Sequence, residues 1–201
     1  MPNLNAPKGF VPVRYLNGAA WNGAVNLYFI PQADGSVYSP GDAVKSAAGG
    51  DANGIPAIAK AAGTDTLRGV IANILVAAPN NPSLVGTTLD LTTMQAPATK
   101  AKGYYALVVD DPAVLFEIQD DGLAALTATA CNKNAAFTVA NPTAPQQNSA
   151  SVLSTASVAV TQALPLRIVG LAQRDDNAFG VNAKWLVKIN QHELEGNTAG
   201  V

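Results

Sequence analysis

The stretch AVNLYFIPQADGSVYSPGDAVK, residues 24–45, decides the fold. Ala24 to Ile30 is dense in β-branched, aromatic and aliphatic side chains, the composition of a pleated, half-buried strand, and Pro31 ends it. Ala33-Asp34-Gly35-Ser36 is a turn: Asp bonds nearby backbone amides, and Gly accepts positive φ. Val37 and Tyr38 are extended, Pro40-Gly41-Asp42 turns the chain again, and Ala43-Val44-Lys45 starts another short strand. Short strands bounded by Gly, Pro and Asp every eight to twelve residues predict a sandwich or barrel.

The same punctuation continues outward. Ser46 to Gly54 reads as a small-residue loop, and Ile55 to Ala61 alternates as a strand does. The apolar run from Leu67 to Ala77 is short, bounded and rich in Val and Ile, so a strand buried on both faces fits it better than a helix. Residues 78–102 are polar, with Pro79, Pro82 and Pro97, and read as a long excursion carrying one strand, Thr87 to Leu91. Tyr104 to Val109 and Val114 to Gln119 read as a hairpin across Asp110-Asp111-Pro112. Leu123 to Ala136 is the best helix candidate, of one or two turns, because Leu123 to Leu126 are helix formers. Residues 140–150 are a loop and Ser151 to Val160 a strand. Leu166 to Gln173 and Ala183 to Ile189 close the domain around a polar turn, Arg174 to Gly180. Gly170, inside a strand pattern, marks a bulge or close packing.

The expectation is therefore a mostly β chain, an antiparallel barrel or sandwich (jelly-roll-like) with at most one short helix. It divides into an extended N-terminal arm (1–22), a β domain (23–195) and a loose tail (196–201). The arm holds Pro2, Pro7 and Pro12 and the large residues Phe10, Tyr15 and Trp21. Two readings stand level: an ordered edge segment on its own domain, or an arm reaching onto a neighbour.

Charged residues are 13% of the 201, about half the ~25% usual in soluble domains. A weakly charged, Ala-rich surface suits coverage by neighbours. With a net charge of −2 and no Lys/Arg cluster, neither nucleic acid nor an anionic membrane is an expected partner. No apolar stretch reaches the ~20 residues of a membrane span. The first residues lack a basic start and apolar run, so the expectation is synthesis and use without secretory export.

Chemistry has few candidate carriers. Cys131 is alone, which excludes an internal disulfide and a multi-thiolate metal site; it reads as a small buried residue. His192 is the single histidine, so any Ser-His-Asp or Cys-His arrangement must use it. Near the chain end, it reads as a solvent-exposed or interface residue. The pairs Asp110-Asp111, Asp120-Asp121 and Asp175-Asp176 could act as acid and base or ligate a divalent cation. Each sits at a turn, where Asp is explained by its backbone bonds. No phosphate loop, zinc spacing or dinucleotide fingerprint is present, so no cofactor is expected. The aromatics are dispersed and read mostly as core.

The order of segments carries a resemblance. After the arm come Asn17-Gly18-Ala19-Ala20-Trp21-Asn22-Gly23, Leu27-Tyr28-Phe29-Ile30-Pro31 and Val37 to Lys45. Later stand Arg68-Gly69-Val70, Ile168-Val169-Gly170-Leu171 and Lys184-Trp185-Leu186-Val187-Lys188-Ile189-Asn190. This texture resembles the head-decoration, or cement, proteins of tailed bacteriophages, from about Asn17 to Leu194. The resemblance implies a non-enzymatic structural virion protein, made in the host cytoplasm and bound to the outer capsid surface. Its implied partners are the major capsid protein and copies of itself, as a dimer or trimer. Phe10, Tyr15 and Trp21 are the expected contact residues. A receptor- or carbohydrate-binding module of a head fibre or spike is the alternative.

Overall fold

The computed structural model describes residues 3–75 and 94–195. The expected strand Thr87 to Leu91 and the tail 196–201 lie outside them. Among the described residues the strands are β1 (Val11–Tyr15), β2 (Asn26–Ile30), β3 (Ala43–Gly50), β4 (Pro56–Lys60), β5 (Gly69–Leu75), β6 (Tyr104–Val109), β7 (Val114–Gln119), β8 (Asn134–Ala135), β9 (Phe137–Thr138), β10 (Val152–Leu153), β11 (Leu166–Leu171) and β12 (Lys184–Ile189). The fold is mostly β, with antiparallel sheets packed in a sandwich-like manner. One sheet closes on itself as a barrel in the order β2-β4-β3-β5-β6, and the other is open, in the order β1-β7-β12-β11-β8. Parallel pairing occurs between β2 and β4, at Phe29 and Ala57, and at two isolated bridges, Leu67 with His192 and Asp120 with Leu153.

Two cores follow from this division. Inside the barrel lie Tyr28, Ile30, Val44, Ile58, Ile71, Ala106 and Val108. The larger core joins the sheet to the barrel. Trp185, Val187, Phe116, Ile118 and Ile168 come from one face of the sheet, Ala43, Val70 and Val109 come from barrel strands, and Leu67 from the segment leading into β5. The strand period of two explains β12: Trp185, Val187 and Ile189 point inward, while Lys184, Leu186 and Lys188 alternate outward. The pairing of β11 with β12 shifts register between Ile168 and Gly170, so Gly170 does mark a bulge.

Several sequence readings are corrected. Tyr104 to Val109 and Val114 to Gln119 do not form a hairpin: β6 pairs with β2 and β5, and β7 with β1 and β12. Asp110-Asp111-Pro112 is the crossing from barrel to sheet. The stretch Leu123 to Ala136 holds only a three-residue 3-10 turn, Ala128–Ala130, capped by Thr127, before β8 begins. Thr127 bonds the backbone locally, accepting from Thr129 N–H at 3.4 Å, the kind of side-chain bond that competes with a continuing helix. Strand β3 runs through Ser46 to Gly50, which had read as loop. Ser151 to Val160 keeps only the two residues of β10 and a second 3-10 turn, Thr155–Ser157.

The N-terminal segment belongs to the sheet. Strand β1 is its edge, paired with β7, and residues 19–21 fold back on β1 through Tyr15 N–H to the Ala19 carbonyl (2.8 Å) and Trp21 N–H to the Val13 carbonyl (3.1 Å). Upstream, Ala6 N–H donates to Gln119 Oε1 at 2.9 Å. Where the segment passes the barrel, Gly9 (φ +66°) and Gly41 (φ +89°) cross so closely that a Cβ on Gly9 would stand 2.4 Å from the Gly41 carbonyl oxygen. No other residue fits there.

Candidate interaction surface

Phe10 is 1% exposed, with edge-to-face contacts to Phe116 at 6.3 Å and Phe137 at 5.3 Å between ring centres. It is a core residue and has no surface to offer a partner. Tyr15 and Trp21 are half-buried against the same core; Tyr15 donates its hydroxyl to Asn22 Oδ1 at 2.9 Å. The reading of the first residues as a reaching arm gives way, for the described part, to that of an edge segment on its own domain.

The carboxylate pairs act on turns and buried donors. Asp111 accepts from Ala113 N–H. Asp121 accepts from Leu123 N–H and from the backbone and hydroxyl of Thr155. Asp110 accepts from Asn26 Nδ2 at 2.8 Å and the Tyr28 hydroxyl at 2.6 Å. Asp120 is fully buried and accepts from Gly122 and Ala183 N–H and from Trp185 Nε1. Burial raises its carboxyl above the ordinary range, against the pull of those donors. Among the described residues no group of three or more His, Cys, Asp and Glu could hold a metal ion.

His192 is buried, not exposed. Leu67 N–H bonds the Gln191 carbonyl, and Glu193 N–H bonds the Leu67 carbonyl, so the barrel's entry to β5 holds the chain on both sides of the ring. Nδ1 accepts from Leu194 N–H at 3.0 Å; Nε2 is buried with no partner among the described residues. Cys131 is half-buried, against the expectation of full burial.

What the surface does present is apolar. Leu123 is 81% exposed, Leu4 72%, Phe179 51% and Val181 46%. Three segments bring them together. The Asn3 side-chain amide donates to the carbonyls of Ala178 (2.9 Å) and Val181 (3.0 Å), which seats Leu4 beside Phe179 and Val181. Gly122 lies against the Asn182 side chain, which brings Leu123 to the same corner. From Leu4 a cleft leads to Val11. Beyond it, the outer face of the sheet holds a shallow depression of about 510 Å³ where Val13, Ala172 and Leu186 alternate with Arg14, Glu117 and Arg174. Four of the charges along this path pair with each other, Arg174 with Glu117 (3.0 Å) and Asp176 (2.9 Å), and Lys184 with Asp176 (3.4 Å), while Lys8 and Arg14 also line it. Arg174 holds the Asp176 carboxyl below the usual range.

Sequence reasoning did not single out Leu4, Leu123 or Val181, and it grouped Phe179 with residues expected mostly in the core. The available signal was the placing of large apolar side chains inside polar turns, Leu123 after Asp-Asp-Gly and Phe179 within 174–180.

Neither the protein-family models, the curated proteins nor the solved structures contain a match to this chain.

Proposed function

We propose that the chain is a structural virion protein that binds the outer surface of a tailed-phage capsid and cements neighbouring major capsid protein subunits. The observation that carries this reading is the apolar corner of Leu4, Leu123, Phe179 and Val181, on a chain with only 13% charged residues. Contiguous exposed apolar surface marks sites of association. Arg174, Glu117, Asp176 and Lys184 beside it are paired with one another, which leaves Lys8 and Arg14 as the cations along this path open to a partner's acceptors. The segment texture described above supports the choice of partner. The reaching arm no longer contributes, since residues 3–15 are fastened to their own domain. A glycan reader would favour an aromatic platform, and Phe179 is the one exposed aromatic among the described residues.

Titration of undecorated, expanded capsids with the purified protein tests the proposal. Saturable binding at a fixed ratio to the shell subunit is expected, weakened at least tenfold by the double change Leu123→Ser and Phe179→Ser with the melting temperature retained. Absence of saturable binding would remove the reading, and undiminished binding of the folded double variant would remove this corner from it.

A further inference from the structure

We infer that a trough along β1 takes an acidic segment of the shell subunit that also carries apolar anchors. The inference rests on the capsid reading for the partner's identity and adds the chemistry of the segment that docks. Three depressions join to form the trough. One is the cleft from Leu4 to Val11, and another is the depression on the outer face of the sheet. The third is an apolar cleft of about 290 Å³, where Pro12 and Trp21 from the sheet side meet Pro40 and Ile71 of the barrel. Val11 walls all three, and Lys8 walls both clefts.

The charge of the trough sets the sign of its occupant. Its charged walls are Lys8, Arg14, Arg174 and Lys184 against Glu117 and Asp176. Cations thus exceed carboxylates here, on a chain whose net charge is −2. Arg174 and Lys184 are paired with the two carboxylates. Lys8 and Arg14 are exposed, and their side chains have no hydrogen bond or ion pair among the described residues. Asp175 is exposed on the nearby turn but walls none of the three depressions. A face with surplus positive charge draws and orients an acidic partner and disfavours a basic one.

The apolar walls supply the other half of the recognition. Pairing sets Val11 opposite Glu117 and Glu117 opposite Leu186, and the bulge in β1 leaves Val13 beside Arg14. Apolar surface therefore adjoins each open cation, and the Trp21 cleft can receive a buried anchor of the kind that dominates interfaces. Strand addition is not the docking mode. On the free edge of β1, Tyr15 N–H and the Val13 carbonyl are already bonded to Ala19 and Trp21, and Pro12 has no N–H to offer. The segment is held through its side chains, carboxylates on Lys8 and Arg14 and apolar groups in the cleft and against Val13 and Leu186.

Expanded capsids titrated with the native chain and with the double variant Lys8→Glu, Arg14→Glu are the first test. Native binding should weaken as salt rises from about 0.1 to about 1 M, where the screening length falls from ~10 to ~3 Å. The double variant should keep its melting temperature, bind about tenfold more weakly and lose most of the salt response. Undiminished binding of the folded variant overturns the inference and leaves the capsid reading standing. No capsid binding by the native chain removes the capsid reading, and a second probe then decides the trough alone. That probe is a short capped peptide of Glu and Leu, compared with the same peptide carrying Lys in place of Glu. Trp21 walls the cleft while Trp185 is fully buried, so a change in tryptophan emission reports occupancy. A saturable change with the Glu peptide and none with the Lys peptide is expected; equal responses, or none, would sink the inference. Self-association of the free protein that the double variant abolishes would assign the trough to a second copy instead.

Discussion

The barrel and the sheet hide their aromatic residues in opposite ways. In the core shared by the sheet, rings meet rings: Phe10 stands edge-on to Phe116 and Phe137, and Trp185 lies fully buried with one polar tie, to Asp120. In the barrel, tyrosines reach carboxylates. Tyr28 donates to Asp110 at 2.6 Å, Tyr38 to Asp34 at 2.7 Å and Tyr105 to Asp51 at 2.8 Å. Burial pushes the Tyr28 and Tyr105 hydroxyls up to about 12, and Tyr38 further. The sheet side is held by filled volume, where lost atoms leave a cavity. A small five-stranded barrel has little interior volume, so it uses hydroxyl–carboxylate pins that fix strand ends and loops.

Removing volume from the sheet side should have the largest effect. Phe10→Ala deletes a ring at the junction of three elements and should cost about 3–5 kcal/mol, read as a lowered urea midpoint with unchanged slope. An unchanged midpoint would mean that the N-terminal segment is a separable strap, and the contrast between the two cores would collapse. On the barrel side, Tyr38→Phe keeps the ring and removes a hydroxyl that donates to Asp34 and accepts from Lys60 N–H at 2.9 Å. A cost of roughly 1–3 kcal/mol is expected in the same denaturation experiment. A larger loss than that of Phe10→Ala would reverse the ranking of volume over pins.

This contrast was only half visible in the sequence. Strand positions were legible because β-branched runs and Asp-Gly or Pro-Gly turns are local: β2, β4, β5, β6, β7, β11 and β12 fall where the pattern put them, as does the bulge at Gly170. Pairing was not legible. Asp110-Asp111-Pro112 has the chemistry of a hairpin turn, yet the strands on either side go to different sheets, because their hydrophobic faces find different cores. The burial of Phe10 was hidden for the same reason, since its partners lie more than a hundred residues away. The apolar corner draws on residues near 4, 123 and 180, and no window along the chain contains them together.

The smallest effect expected at neutral pH concerns the seam between the two halves. His192 lies where the chain after β12 runs beside Leu67, with Arg68 and Asp110 on the barrel side and Glu193 and Glu195 on its own segment acting on its charge. Burial dominates and lowers its proton affinity below the ordinary 6.5. The unfolded chain therefore binds a proton more readily than the folded one. Its neutral form costs nothing above pH 6.5, and stability falls as the pH drops below that value toward the depressed folded one. Asp34 and Asp65 are also shifted downward, from 3.8, so their losses begin only near that lower pH. His192→Asn keeps an acceptor for Leu194 N–H and cannot titrate. Melting temperatures from about two pH units below the ordinary histidine value of ~6.5 to about one above it should fall on the acid side for the native chain and stay flatter for the variant. Parallel curves would show that the seam does not sense protons through His192 and that the two halves lose stability in acid through their carboxylates alone.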